Sequence, residues 1–370
     1  MRASHISLRK RLALTLFKKY KANQSKLHPL KYLFWECTLR CNLDCLHCGS
    51  DCSKNSSFKD MPVADFMKAI DDVSPVVEPN KTLVVMTGGE PLVRKDIEKA
   101  GIELNKRGFP WGLVTNGMLL TEKRFHSLLD AGLHSITVSL DGLEESHNWL
   151  RGSKISFEKA VRAIKLLPVQ QGLRHDVVTC VNRRNFTELP QIRDKLIEMG
   201  VREWRLFTIF PAGRAKENDE LQLNPVEFKA LFDFIRQSRK FGKIRINYGC
   251  EGFLGSYENM VRDHFFFCRA GIQIASVLAD GSISACPNLP KSFVQGNIYE
   301  DSFANTWENG YGIFRDRSWT KTGSCSGCKY YEFCQGNGMH LRDGKTGELL
   351  LCHLKKVEAG EKNNTDRRAF

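Results

Sequence analysis

The stretch KYLFWECTLRCNLDCLHCGSDC, residues 31–52, runs from an apolar segment directly into a loop holding Cys41, Cys45, Cys48 and Cys52. Residues 31–37 read as a β-strand. Four residues beyond it begins the triplet Cys41, Cys45, Cys48, with C-x3-C-x2-C spacing. Three thiolates from one loop hold three irons of a 4Fe–4S cluster, and since such clusters take four ligands, one iron is left open. Structural zinc favours four closed ligands, commonly from two C-x2-C pairs. The x3 gap argues against zinc, although Cys52 or His47 stands by as a fourth donor. Cys37 reads as a small apolar strand residue and Cys52 as a bystander.

Working outward, short apolar runs alternate with helical stretches. Helices are expected over 62–73, 94–106, 121–130, 157–167 and 189–199, and strands over 82–86, 111–115, 135–140, 176–181 and 204–210. With the first strand this makes six strand–helix units over about 180 residues, the rhythm of a parallel α/β barrel or open sheet. The fold class expected is α/β, a partial (β/α)6 TIM-like barrel followed by an irregular cysteine-rich C-terminal domain. Chemistry in such folds sits at the carboxyl ends of the strands. The domains expected are a basic N-terminal segment (1–30), the barrel (31–218), a connecting helical segment (219–262), an iron–sulfur domain (263–355) and a disordered polar tail (356–370).

Thirteen cysteines, odd in number and clustered at short spacings, fit metal binding in a reducing cytosol better than a disulfide framework. No apolar run reaches the roughly 18 residues of a membrane span. The apolar stretch 12–17 is too short for a signal-peptide core, so a cytoplasmic location is expected. The net charge of +13 is concentrated: residues 1–31 carry nine Lys and Arg and no acidic residue. That distribution argues against a general nucleic-acid binder. Leu8, Leu12 and Leu16 share one face of a basic amphipathic helix. Its two readings are weak contact with an acidic partner or membrane surface, and a solvated helix packed on the barrel end.

Four ordered stretches now identify a resemblance. The triplet with His47 before its last cysteine, TGGEP at 87–91, TNG at 115–117 and SLDG at 139–142 with Arg151 downstream resemble the radical S-adenosylmethionine (radical SAM) enzymes. The resemblance implies that Cys41, Cys45 and Cys48 bind a 4Fe–4S cluster whose open iron is chelated by S-adenosylmethionine. It places His47 beside the cluster, Gly88, Gly89 and Glu90 at the cofactor ammonium, Asn116 near the ribose, and Ser139 and Arg151 at the carboxylate. Asp141 reads equally as a ribose contact or a turn cap. Reductive cleavage would then give a 5'-deoxyadenosyl radical that abstracts hydrogen from substrate, with electrons from an external flavodoxin or ferredoxin.

The C-terminal cysteines resemble the SPASM extension of peptide-modifying radical enzymes. Cys325, Cys328, Cys334 and Cys352 make a complete outer auxiliary set. The inner set keeps only Cys268 and Cys286, because Gly338 stands where a cysteine is expected. Cys250 is expected to join them, while an open iron, a smaller cluster or no inner cluster also fit. A zinc staple is the alternative for the whole group. The resemblance implies one or two auxiliary 4Fe–4S clusters and a peptide or protein side chain as substrate. The alternatives are formylglycine formation, made less favourable by Pro287 in place of the expected Asp; small-molecule chemistry in a haem or quinone pathway; and a non-catalytic iron–sulfur protein. For propionate-bearing substrates, Arg183, Arg184 and Arg214 are candidate contacts.

Overall fold

The computed structural model describes residues 3–209, 211 and 213–366. After helix α1 (Leu8–Leu27), strands and helices alternate in the expected order: β1 (Tyr32–Thr38), α2 (Val63–Val73), β2 (Leu83–Gly88), α3 (Ile97–Lys106), β3 (Trp111–Thr115), α4 (Glu122–Asp130), β4 (Leu133–Ser139), α5 (Glu144–Arg151), α6 (Ser156–Leu166), β5 (Arg174–Val181), α7 (Leu189–Glu198) and β6 (Glu203–Thr208). Neighbouring strands from β1 to β6 pair in parallel, so every β-to-α turn opens on one edge of the sheet. Helix α5 departs from the expectation. Its eight residues are too few to show a helical period, and its C-terminal Gly152, at φ 64°, stops it directly after Arg151.

Continuous apolar runs suit strands covered on both faces. On β1, Trp35 stacks on Phe66 of α2 with ring centroids 4.2 Å apart and planes 3° from parallel. Trp111 of β3 and Trp204 of β6 are fully buried. The barrel's inner face carries a polar layer instead: Thr137 Oγ1 donates to Asp176 at 2.6 Å, and Asp176 pairs with Arg205.

The sheet does not stop at β6, the last strand expected from the sequence. After α8 (Pro225–Phe241), β7 (Arg245–Tyr248) pairs in parallel with β6. From the cysteine-rich region β8 (Ile274–Val277) pairs in parallel with β1, and β9 (Ser282–Ser284) and β10 (Gly296–Asn297) continue that edge. The order is β10-β9-β8-β1-β2-β3-β4-β5-β6-β7. Strands of two to four residues carry no readable alternation, which is why they escaped the sequence pattern. Their effect is large: the barrel and the cysteine-rich region share one sheet.

Both ends of the chain are helical. The leucine stripe of α1 faces outward, with Leu8, Leu12 and Leu16 exposed by 77, 61 and 68%. The surface that receives α1 offers carbonyls, so lysines turn inward: Lys21 Nζ donates to Phe333 O at 2.6 Å, and Lys10 Nζ to Ser256 O. At the other end, the tail expected to be disordered is helical as far as Asp366, in α9 (His353–Asp366); residues 367–370 lie outside the described residues. Val357 and Leu354 are buried, and α9 lies against α8 closely enough that a Cβ on Gly360 would sit 2.0 Å from Pro225 O. Apolar residues spaced three apart were sufficient to dock a polar helix. Overpacking that contact with Gly360→Val is expected to destabilise the protein by roughly 1–3 kcal/mol, read as a lower Tm; an unchanged Tm would show that the tail does not pack there.

Candidate functional site

The loop after β1 is pinned from both sides. Gly89 N–H donates to Thr38 O at 2.8 Å and Glu90 N–H to Arg40 O at 3.0 Å, holding the end of β2 against it. Gly88 has φ 119°, and a Cβ at Gly88 or Gly89 would lie 2.2 Å from Thr38 O or Arg40 O. Glycine is required here for backbone-to-backbone approach. Cys41 N–H bonds Ser53 O at 3.0 Å, closing the loop on itself. From the far side, Arg214 Nη2 donates to Cys52 O at 2.9 Å.

Glu90 is fully buried, and its carboxylate accepts from Leu92 N–H at 3.0 Å, Thr115 Oγ1 at 2.8 Å and Asn116 N–H at 2.8 Å. Burial nevertheless raises its pKa. The carboxylate therefore ties the end of β2 to the end of β3. Asn116 is oriented in turn: its amide oxygen accepts from Met118 N–H at 2.9 Å, and its amide nitrogen donates to Asn42 at 2.8 Å, 3.9 Å from Cys41 Sγ.

Asp141 and Arg151, read from the sequence as separate contacts, meet each other. Arg151 engages Asp141 through Nε and Nη2, leaving Nη1 3.7 Å from Cys45 Sγ. Burial alone would raise the Asp141 pKa, but Arg151, then His47 and His147, hold it below the usual carboxylate range. Asp141 also accepts from Cys180 N–H at 2.7 Å, and its own N–H donates to His147 Nδ1 at 2.9 Å. His47 is held neutral, its pKa pushed down to about 4 by burial and then by Arg151. Its Nδ1 is buried without a hydrogen-bond partner. His47, Asp141 and Cys180 form a cluster whose ligand-type atoms all lie within 4.8 Å of one another. Ser139 is buried at the end of β4 beside them.

The three loop thiols are electrostatically unlike. Burial pushes Cys41 up to about 11 and raises Cys45, where Arg151 opposes the shift. Cys48 is lowered to about 5 by the hydrogen bond from Cys52, with Arg214 adding to it. Cys52 is thus not a mere bystander, because its N–H also reaches Cys48 Sγ at 3.4 Å. Cys37 is buried on β1, its thiol donating to Thr87 O at 3.3 Å.

A cavity of about 810 Å3 opens from this loop at His47 and extends to Cys250, Cys268 and Cys286, within the size range of small-molecule sites. Cys250 follows β7, Cys268 precedes β8 and Cys286 follows β9, so the extra strands carry the inner thiols to the barrel mouth. Each thiolate would feel the others' charge. His340 lines the same space, held neutral by burial with a pKa near 4. Arg269 also lines it and forms no ion pair among the described residues; its guanidinium lies 5.8 Å from the Tyr32 ring centroid. The arginines proposed from sequence are engaged elsewhere: Arg183 with Glu227 at 3.5 Å, Arg184 with Glu145, and Arg214 with the cysteine loop.

The outer thiols gather apart from this cavity. Cys352 interacts electrostatically with Cys325 and Cys328, and Cys334 with Cys352 and Cys325. Arg342 Nη2 lies 3.7 Å from Cys325 Sγ, and Lys21 of α1 acts on Cys334. In metal-free protein, iodoacetamide is expected to label Cys48 faster than Cys41 at pH 7, with a Cys48 rate that is flat from pH 6.5 to 8 and falls as pH drops through about 5. Peptide mass spectrometry checks this, and preferential labelling of Cys41 would contradict the assignment.

Residues 35–196 match the Radical SAM superfamily and residues 268–329 match SPASM, an iron–sulfur cluster-binding domain. The chain is 28% identical over 328 residues to an AdoMet-dependent heme synthase of Methanosarcina barkeri, covering 83% of this chain and 90% of that protein. It is 27% identical over 354 residues to the mycofactocin maturase MftC of Mycobacterium tuberculosis, covering 91 and 87% respectively. Its fold superposes on anSMEcpe with bound AdoMet at a TM-score of 0.70 and 21% identity, covering 92% of this chain and 94% of that one. These two domain types bind 4Fe–4S clusters and S-adenosylmethionine, the cofactors expected from the cysteine loop. The chain is a radical SAM enzyme carrying a SPASM iron–sulfur domain.

Proposed function

We propose that the protein abstracts a hydrogen atom from a substrate seated in the cavity between the cysteine loop and the inner thiols. The continuity of that cavity carries the reading: one wall is the loop at His47 and Gly49, and the opposite wall is Cys250, Cys268 and Cys286. The residues present fit the groups they would hold. Cys41, Cys45 and Cys48 are three thiols on one loop with cations at Cys45 and Cys48, which suits an anionic cluster with one open iron. Cys325, Cys328, Cys334 and Cys352 are a complete set of four for a closed outer cluster. When bound, these groups supply a 5'-deoxyadenosyl radical beside the cavity and an electron acceptor across it.

The chain's own residues orient and shield. Glu90 fixes the backbone of the β2 end, where the cofactor's ammonium would lie; Asn116 faces the same loop. Ser139 and the free edge of Arg151 stand where its carboxylate would lie, and Asp141 keeps Arg151 charged and stationary. The neutral His47 lines the site without adding charge. An external flavodoxin or ferredoxin is the proposed reductant. The outward stripe of α1, with exposed Arg9, Arg11 and Lys19 beside it, is a surface for weak contact with an acidic partner or membrane surface. No helix among the described residues is long and apolar enough to cross a membrane.

The substrate expected from the sequence is a peptide or protein side chain, and likeness to MftC supports it. A second reading, a carboxylate-bearing tetrapyrrole, is favoured by Arg269 in the cavity and by likeness to the haem synthase. Anaerobically reconstituted protein with dithionite and S-adenosylmethionine is expected to release 5'-deoxyadenosine, and Cys41, Cys45 and Cys48 together replaced by Ala to reduce release by at least 100-fold. Absence of release from fully iron-loaded protein would sink the enzymatic reading. Fe-coproporphyrin III as added substrate separates the two: faster release and a mass change in the tetrapyrrole select the second. In that case Arg269→Ala is expected to raise its KM about tenfold, the loss of one charged hydrogen bond.

A further inference from the structure

We infer that His340 supplies an imidazole ligand to the inner auxiliary cluster, completing a set of Cys250, Cys268, Cys286 and His340. The inference rests on the reading that the inner thiols hold iron and sulfide, and it specifies how the fourth position is filled. The cysteine spacing points to residue 338, which is glycine. A Cβ built on Gly338 would lie 2.7 Å from His340 Cε1, 3.0 Å from His340 Nδ1 and 2.5 Å from Glu251 O. The volume in which a cysteine at 338 would begin its side chain is therefore occupied by the His340 ring. The glycine is needed so that the ring can be there.

Two further observations converge on the same point. His340 and the three thiols line one cavity. The short 3-10 turn Met339–Leu341 lies against the inner set, the Met339 N–H acting electrostatically on the Cys268 sulfur. His340 is the next residue along that turn. Imidazole is an established iron ligand in iron–sulfur centres, where exchanging cysteine for histidine raises the reduction potential. A three-thiolate, one-imidazole cluster would carry one negative charge fewer than an all-cysteine one. It would be the better acceptor for an electron leaving a substrate radical in the cavity.

The test removes the first cluster so that only auxiliary clusters are observed. The Cys41, Cys45, Cys48 triple Ala variant, grown with 15N-histidine and reconstituted anaerobically, is reduced and examined by pulsed electron paramagnetic resonance. The expected result is a strong 15N coupling of a directly bound imidazole that disappears when His340→Ala is added. His340→Cys is expected to keep the iron content, lose the coupling and shift the midpoint potential to a more negative value. That variant keeps the test decisive if His340→Ala fails to fold. No coupling in the parent, or a coupling that survives His340→Ala, overturns the inference. So does an iron count in the unmutated protein of about eight rather than twelve, and in that case continued release of 5'-deoxyadenosine would leave the radical reading intact.

Discussion

Everything at the barrel mouth depends on two backbone hydrogen bonds, Gly89 N–H to Thr38 O and Glu90 N–H to Arg40 O. They bring the end of one parallel strand against the loop that leaves its neighbour, closer than any residue with a Cβ allows. The cysteine loop is otherwise irregular backbone, whose fourteen residues from 40 to 53 close on themselves at the isolated bridge Arg40–Ser53. Anchored to β2 at one end and clamped by Arg214 at the other, the loop is held by its own hydrogen bonds, which offset the roughly 1–2 kcal/mol per residue that ordering it costs in backbone entropy.

The same economy appears one strand further along. Asp141 is buried with its charge, which is costly unless the carboxylate is paired and hydrogen-bonded. Arg151 supplies the pair and Cys180 N–H donates to the other carboxylate oxygen. The guanidinium keeps one edge toward Cys45 and thereby delivers a fixed positive charge that opposes the rise burial imposes on that thiol. Arg151 reaches this position because α5 ends on it, stopped by a left-handed glycine. A structural ion pair and a site residue are here the same side chain.

How much of this was legible in the sequence follows from the length of each signal. Six strand–helix units with β-branched runs and 3.6-residue periods were readable, as were the cysteine spacings. Helix α5 and strands β7 and β8 were not, because elements of four to eight residues average out no periodicity. The orientation of α1 was not legible for a different reason: a leucine stripe does not say which face docks, and the surface that receives α1 displays carbonyls that lysines satisfy. Arg269 carried no sequence signal, since a single arginine beside Cys268 belongs to no motif. The place of His340 carried no spacing signal, since a side chain two residues past the glycine reaches, through a 3-10 turn, the volume a residue at 338 would fill.

The two auxiliary sites are mechanically joined, and the joint explains why β7 and α9 belong to the functional unit. Glu251 follows Cys250 at the end of β7, and His353 follows Cys352 at the start of α9. The two residues lie 3.3 Å apart in the buried interior, with Tyr248 OH 3.0 Å from His353 Nε2 and Thr208 N–H donating to Glu251 at 2.7 Å. Burial alone would raise the Glu251 pKa, but His353, Thr208 and Tyr248 hold it low, so the carboxylate stays ionised. An ionised buried carboxylate bound by three different elements is expensive to displace, and it fixes the residue after one inner thiol against the residue after one outer thiol. Should both thiol sets hold clusters, as proposed, this contact would keep the separation between them constant. The polar cluster beneath the cavity sets that spacing, and the helix formed by the polar tail of the chain keeps it set.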